Sequence, residues 1–293
     1  MNIIILSRNP ALYSTHSLFT AARMRGHYVR VLDHLQCDLI IDNKTPKVIY
    51  RGENIRNVNA IIPRIGTSAT TYGAAVIRQF MTMKAYTTLD PTALTNARDK
   101  MTCLQILSSH GIGVPKSVVS NDFVENYDFI KEVGPLPVIL KMINGTHGLG
   151  VMKGESRSSV DAVMEMMGKA KQKMMMQKFI AESKGADIRV FIVDDEIVGC
   201  MKRQAKEGEF RSNLHRGGTS TIERISKEEA VIAKKAVKVL GLKVAGVDML
   251  RSNDGPLILE VNASPGLEGI ETTTGVDIAG KIIAMVERNK IRY

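Results

Sequence analysis

Glu260 and Asn262 stand two residues apart in "LILEVN", inside an apolar run that reads as a buried strand. Side chains alternate faces along a strand, so the acid and the amide project the same way. Two such groups on one face are costly to bury without a partner, and a hard cation is one candidate. Just upstream, "AGVDMLRSNDGP" is a second apolar strand carrying one acid, Asp248. A turn at "SNDGP" makes a hairpin centred near Asp254 that pairs position 248 with 260. That register places Asp248, Glu260 and Asn262 on one face of adjacent strands. Magnesium takes oxygen ligands, commonly one or two carboxylates plus substrate phosphates, and these three side chains suit it. The competing reading is a solvent-facing strand with incidental acids. A phosphate-handling loop elsewhere in the chain favours the metal.

That loop is Asn144-Gly145-Thr146-His147-Gly148-Leu149-Gly150. It is not a Walker loop, because no Gly-Lys-Ser/Thr follows and no helix opens after it. Its setting is strand–loop–strand, like the flap over ATP phosphates in protein kinases. Gly145, Gly148 and Gly150 let backbone N–H groups approach phosphate oxygens. Lys141, on the preceding strand, can bring an ammonium to the same phosphates. No "HRD" or "DFG" element follows, so the chain is not a kinase, and a nucleotide flap on another fold remains.

The elements that must position these residues read as α/β. "NIIIL", a helix in "ALYSTHSLFTAARMRG", "YVRVLD", "AIIPRIG" and the helical "YGAAVIRQFMTMKA" alternate as a small open α/β domain. Its first loop, "SRNPALYS", lacks the glycines of a dinucleotide site. "NARDKMTCLQILSSHG" predicts one helix, and "IGVPKSVVS" a turn into a strand. "LPVILKMINGTHGLGVMKGES" predicts two strands around the flap, followed by a helix near 158–170. "DIRVFIVDDEIVGCMKRQ" predicts a hairpin turning at Asp194 and Asp195. After the polar "AKEGEFRSNLHRGGTS" come the helix "SKEEAVIAKKAVKVLG", the metal hairpin and a last helix near 277–289.

Composition is that of a globular protein of 293 residues, 44% apolar and 24% charged, which leaves room for a real core. No apolar run approaches the ~18 residues of a membrane helix. Cys37, Cys103 and Cys200 are scattered, which fits a reducing cytoplasm rather than a disulfide framework or zinc site. The net charge of +10 favours an anionic partner. Aromatic residues at 5% offer no evident stacking platform for single-stranded nucleic acid, and no direct nucleic-acid binding is required. Met174 to Met176 read as core filler.

Taken together, "IPRIGTSATTYGAAVIRQF", "ARDK", "KMINGTHGLGV", "RQAKEGEFRSNLHRGG" and "GVDMLRSNDGPLILEVNASPGLEGIE" closely resemble RimK-type α-L-glutamate ligases of the ATP-grasp superfamily, in the branch that modifies a ribosomal protein. The resemblance runs from the first strand to the last helix. It implies an α/β (α+β) ATP-grasp fold preceded by an open parallel α/β domain. The expected divisions are 1–96, a central subdomain with the flap over 97–182, and a metal-bearing subdomain over 183–293. It also implies joining of L-glutamate, at the expense of ATP, to the carboxyl-terminal glutamate of a small-subunit ribosomal protein. Two magnesium ions, with manganese as a substitute, and a homotetramer are part of the same expectation.

Residue by residue, the resemblance puts Lys100 and Lys141 on the phosphates and Gln177, Lys178, Phe179 and Ile180 at an adenine hinge. The hinge contacts are expected mainly from backbone groups of Lys178 and Phe179. Asp187 takes the ribose hydroxyls, while Arg211, Ser212 and Asn213 reach the triphosphate or the reacting carboxylate. Asp248, Glu260 and Asn262 hold the metal. Many relatives carry Glu where this chain has Lys178, so a carboxylate contact at that point is lost here. In such a reaction Arg203 and Arg211 are the expected catalytic residues, since guanidinium matches an acyl phosphate bidentately. Arg189 alternates with Asp187 on one strand face and is a further candidate. His215 is a candidate proton acceptor, more simply a hydrogen-bonding bystander, and His147 a phosphate or solvent contact. A small-molecule acceptor, and a non-catalytic binding shell, are the alternatives to the protein ligase.

Overall fold

The computed structural model describes residues 1–120, 128–143, 150–212 and 217–290. Gly145, Gly148, Asn213, His147 and His215, all singled out above, lie outside the described residues.

The chain begins with β1 (Asn2–Leu6), α1 (Tyr13–Met24) and β2 (Tyr28–Leu32). Next come β3 (Cys37–Ile40), β4 (Lys47–Tyr50), β5 (Glu53–Ile55), β6 (Ala60–Pro63), α2 (Thr70–Thr82) and β7 (Tyr86–Thr87). Strands β2-β1-β6-β7 form a parallel sheet in that order. Its central strand is apolar on both faces, with Ile3 to Leu6 all buried, as a sheet covered on both sides requires. Strands β3-β4-β5 form a separate antiparallel sheet, which the sequence reading did not resolve.

Two helices follow where one was expected: α3 (Pro91–Arg98) and α4 (Lys100–Ser109). Asp99 breaks them. Its backbone is extended and its side chain accepts from the Thr102 N–H, an N-cap that restarts the helix. Asp90 caps α3 likewise, with Pro91 in the first turn. The chain continues with β8 (Ser117–Ser120), α5 (Phe129–Val133), β9 (Val138–Met142), β10 (Val151–Gly154), α6 (Arg157–Lys169) and β11 (Met174–Lys178). The order β10-β9-β11-β8 makes a four-stranded antiparallel sheet.

The last part holds β12 (Ala186–Val193), β13 (Glu196–Gln204), β14 (Thr219–Ile222), α7 (Lys227–Val239), β15 (Val244–Ser252), β16 (Gly255–Asn262), α8 (Glu268–Thr274) and α9 (Ile278–Lys290). Its sheet runs β14-β13-β12-β15-β16. The β12–β13 turn falls at Asp194 and Asp195, both at positive φ, as expected of Asp in a tight hairpin. A Ser226/Glu229 capping box starts α7. One core cluster joins α2, α3 and α4 to β12, β15, β16 and α7, so the parallel sheet and the five-stranded sheet share a hydrophobic core.

Candidate active site

The β15–β16 hairpin has the expected pairing, Asp248 opposite Glu260, but it reaches it by a different route. From the turn, Ser252 pairs with Gly255 and Met249 with Ile258. Continued evenly, that register would set Asp248 against Leu259. The register shifts between Asp248 and Met249, leaving Leu259 as a bulge and bringing Glu260 opposite Asp248. A one-residue slip reverses every side chain, so the bulge is what gathers the acids on one face.

That face continues across the sheet. Arg189 on β12 pairs with Asp248 on β15, and Asp187 on β12 with Arg203 on β13. The side chains form an alternating chain of charges. Arg189 donates to Asp248 through Nε at 2.7 Å and Nη2 at 2.6 Å. Arg203 donates to Asp187 at 2.7 and 2.6 Å, and its Nη2 also lies 2.9 Å from Asp248 Oδ2. Ser212 Oγ donates to Asp187 Oδ2 at 2.7 Å. Asp187, Arg203 and Asp248 are all at most 5% exposed. Burial alone would raise the Asp248 carboxyl, yet Arg189 and Arg203 hold it down to about 2. At Arg203 it is Asp248 and Asp187 that outweigh burial and drive the guanidinium further up.

Arg203, expected at the acyl phosphate, here shares its charge between two buried aspartates, and Asp187, expected at the ribose, accepts from Arg203 and Ser212. Gly246, opposite Asn262, permits the packing: a Cβ there would lie 3.0 Å from Pro265 and 3.8 Å from Arg189 Nε.

Glu260 is exposed, and Asn262 donates to its Oε1 at 3.0 Å. Both can therefore present oxygen to an ion. Three arginine bonds occupy three of the four lone-pair directions of Asp248, leaving room for one more contact. The set fits a hard cation, with Glu260 and Asn262 the better placed members. Among the described residues no group of three His, Cys, Asp or Glu side chains clusters as a metal site.

The central sheet supplies cations to the same place. Lys141 on β9 and Gln177 on β11 share a face, and Lys141 Nζ donates to Gln177 Oε1 at 2.6 Å. Gln177 Nε2 in turn donates to Ser117 Oγ at 2.8 Å, so the buried Gln177 side chain holds Lys141 instead of facing outward. Lys100, at the start of α4, donates to the Ile143 carbonyl at 3.0 Å. Burial pulls Lys141 down to about 8, with Lys100 adding to the shift and Glu260 opposing it. Lys100 is lowered by burial and supported by Glu260 in the same way. Lys141 on the central sheet and Lys100 on α4, which packs against β16, both feel the charge of Glu260.

The remaining predicted positions are placed as follows. Gly150 has φ +68, and a Cβ would meet Met142 Sδ at 2.6 Å, so the hairpin alone demands glycine there. The Lys178 N–H donates to the Lys116 carbonyl at 2.8 Å, which withdraws it from the hinge. An adenine hinge at this point would use other backbone groups of 178–180. Phe179 is half-buried with Lys153 Nζ 5.0 Å from its ring centre, and Ile180 is buried. Met174 and Met176 enter the core behind the sheet, but Met175 shares the face of Lys141 and Gln177 and lies 1% exposed. Sequence reading grouped all three as filler; strand alternation could have separated them.

Arg211 is clamped to Glu209, Nη2 to Oε2 at 2.7 Å and Nε to Oε1 at 3.0 Å. The guanidinium holds Glu209 down to about 2. This pairing was missed, although "EGEFR" places the two side chains at strand-like spacing.

Antiparallel sheets facing each other across lysines and an acid-bearing hairpin define an ATP-grasp ligase. The fold is shared with an ATP-grasp ligase PsnB solved with a minimal precursor, magnesium and ADP (TM-score 0.75, 23% identity, 98% of each chain covered). D-alanine–D-alanine ligase from Bacillus anthracis, solved with ATP, also superposes (TM-score 0.69, 16% identity, 100% of this chain and 98% of that one). The RimK PreATP-grasp domain matches residues 1–94 and the RimK-like ATP-grasp domain residues 97–286. Probable alpha-L-glutamate ligases from Nitrosococcus oceani (49% identity, 100% of this chain and 97% of the relative) and Pseudoalteromonas translucida (49%, 98% and 96%) align along its length. The chain belongs to the RimK-like ATP-grasp family and is an ATP-dependent ligase. Among the described residues no helix is long and apolar enough to cross a membrane.

Proposed function

We propose that this enzyme joins the amine of L-glutamate to the carboxyl-terminal glutamate of a small-subunit ribosomal protein, through an acyl phosphate. The observation that carries the ligase site is the hairpin that sets Asp248 opposite Glu260, with Asn262 donating to Glu260 on the same strand. The glutamate rests on the names of the relatives, and the protein acceptor on the sequence resemblance; a net charge of +10 suits an acidic, lengthening tail. A cytoplasmic homotetramer fits the same reading.

A carboxylate resists attack by an amine because its leaving group is poor. Transfer of the γ-phosphoryl group of ATP to one carboxylate oxygen releases ADP and makes a phosphate leaving group. The amine then bonds to the acyl carbon, phosphate departs, and the extra amine proton passes to solvent. Such transfers depend on positioning and charge, and call for no protein nucleophile. Lys100 and Lys141 bind the phosphates, and Arg211, on parting from Glu209, meets the transferred group. Glu260 and Asn262, with Asp248 behind them, would hold magnesium, which would offset the negative charge that develops in phosphoryl transfer. Arg203 and Arg189 keep Asp248 ionised and fixed.

The test is ADP release with magnesium and L-glutamate, with and without a peptide ending in the ribosomal-protein sequence, followed by mass spectrometry. Peptide-dependent release with added glutamyl units is expected. Release without peptide, giving oligoglutamate, would make free glutamate the acceptor; no release with either would remove the protein-ligase reading.

A further inference from the structure

Arg64 and Arg98 carry charge that the reaction above leaves unused. In the parallel sheet the chain leaves β1 for β2 on one side and returns to β6 on the other, so the carboxyl ends of β1 and β6 flank a switch point. Open α/β sheets bind ligands at such points. Arg8 follows β1 and Arg64 follows β6, with the Arg64 N–H donating to the Leu6 carbonyl at 2.8 Å. Arg98, ending α3, reaches the same loop: Nη2 donates to the Ile65 carbonyl at 2.5 Å and Nη1 to Thr67 Oγ1 at 2.9 Å. Arg64 Nη2 donates to the Pro265 carbonyl at 2.7 Å, just beyond the metal hairpin. Arg8 donates to Ser68 Oγ at 3.2 Å.

Every one of these acceptors is neutral. Among the described residues neither Arg64 nor Arg98 is in an ion pair, and both are half-buried. Burial pushes Arg64 down to about 10, and Arg98 pushes it further the same way. Burial lowers Arg98 too, with only Glu260 opposing. Two more atoms point to a missing partner: Arg98 Nε and Ser264 Oγ, beside Pro265, are buried without a hydrogen bond. Neighbouring cations with spare donors are costly until an anion arrives.

We propose that Arg64 and Arg98, with Arg8 at the rim, form a subsite that binds a non-reacting carboxylate of an amino-acid substrate beside the metal hairpin. The proposal rests on the carboxylate–amine ligase reading. The nucleotide phosphates are assigned to Lys141 on another sheet and Lys100 on α4, and the guanidinium fork matches a carboxylate in two places. The carboxylate belongs either to free glutamate or to the end of the acceptor chain, and kinetics separates the two.

The test uses the full-length protein with Arg64→Lys, Arg98→Lys and Arg8→Gln, thermal midpoints confirming folding. Without nucleotide, glutarate is titrated calorimetrically against glutaramide, its neutral counterpart. Wild type is expected to bind glutarate and not glutaramide, with each lysine variant about 10-fold weaker or worse, the usual cost of a lost charged hydrogen bond. In turnover, KM for glutamate or for the peptide rises by a similar factor while KM for ATP stays within about twofold; the substrate affected owns the carboxylate. Arg8→Gln gives a smaller rise of the same kind and serves if Arg98→Lys fails to fold. Equal glutarate affinity in all variants, or a rise confined to KM for ATP, overturns the subsite. Glutarate binding lost in the variants while wild type makes no glutamyl product would sink the function and keep the subsite.

Discussion

Glu260→Gln is expected to abolish ligation while leaving the fold unchanged. The side chain is exposed and accepts a hydrogen bond from Asn262, so removing the charge should alter stability by no more than about 0.5 kcal/mol, as for other surface changes. Its loss should nevertheless lower kcat by more than the ~10–100-fold that follows loss of a metal's outer-shell partner. The amide still fills the space but cannot bring a negative charge to magnesium, and it removes the charge that supports Lys100 and Lys141 against burial. Initial rates over a magnesium series, beside a thermal melt, make the comparison. Full activity with unchanged magnesium dependence would remove Glu260 from the metal set.

Arg203→Gln is the second, and its expected effect is on stability. The substitution leaves Asp187 and Asp248 buried with one arginine between two acids instead of two. Breaking a buried ion pair by removing one partner costs about 3–5 kcal/mol. At roughly 2–4 °C per kcal/mol for a chain of this size, the melting midpoint falls by about 6–20 °C. The loss depends on pH in a definite direction. Asp248 sits at about 2 in the folded protein, below the ~3.9 of an unfolded aspartate, so its stabilisation is present above ~3.9 and fades as pH falls through 2. With Arg203 gone the folded value rises toward the unfolded one, and acid unfolding begins at higher pH. A melting series from pH 7 to pH 3 reads both effects. An unchanged midpoint at neutral pH would mean that Arg203 is not holding the aspartates.

The particular residues show what the sequence could and could not disclose. Alternation along "LILEVN" was enough to pair Glu260 with Asn262, and the polar turn "SNDGP" enough to bring Asp248 to the same hairpin. The bulge at Leu259 was not legible, since the turn alone fixes a register one residue off and only packing against the sheet reveals the slip. Lys141 was legible from its place before the glycine loop, but not its grip on Gln177, which depends on β11 folding back beside β9. The break at Asp99 was hidden because the helical pattern runs on through it, and an aspartate reads equally as an exposed helical residue or as a cap. Arg64 and Arg98 were passed over for a plainer reason. They meet only through the fold, and nothing in their local sequence distinguishes them from surface arginines.

The central claim is that ATP activates a carboxylate by phosphorylating it at this site. It is tested most directly by giving the enzyme an acceptor peptide with ¹⁸O in its terminal carboxylate and analysing the phosphorus products. One labelled oxygen per ligation should appear in inorganic phosphate, carried there when the acyl phosphate is broken. Label in AMP, with pyrophosphate released in place of ADP and phosphate, would contradict it.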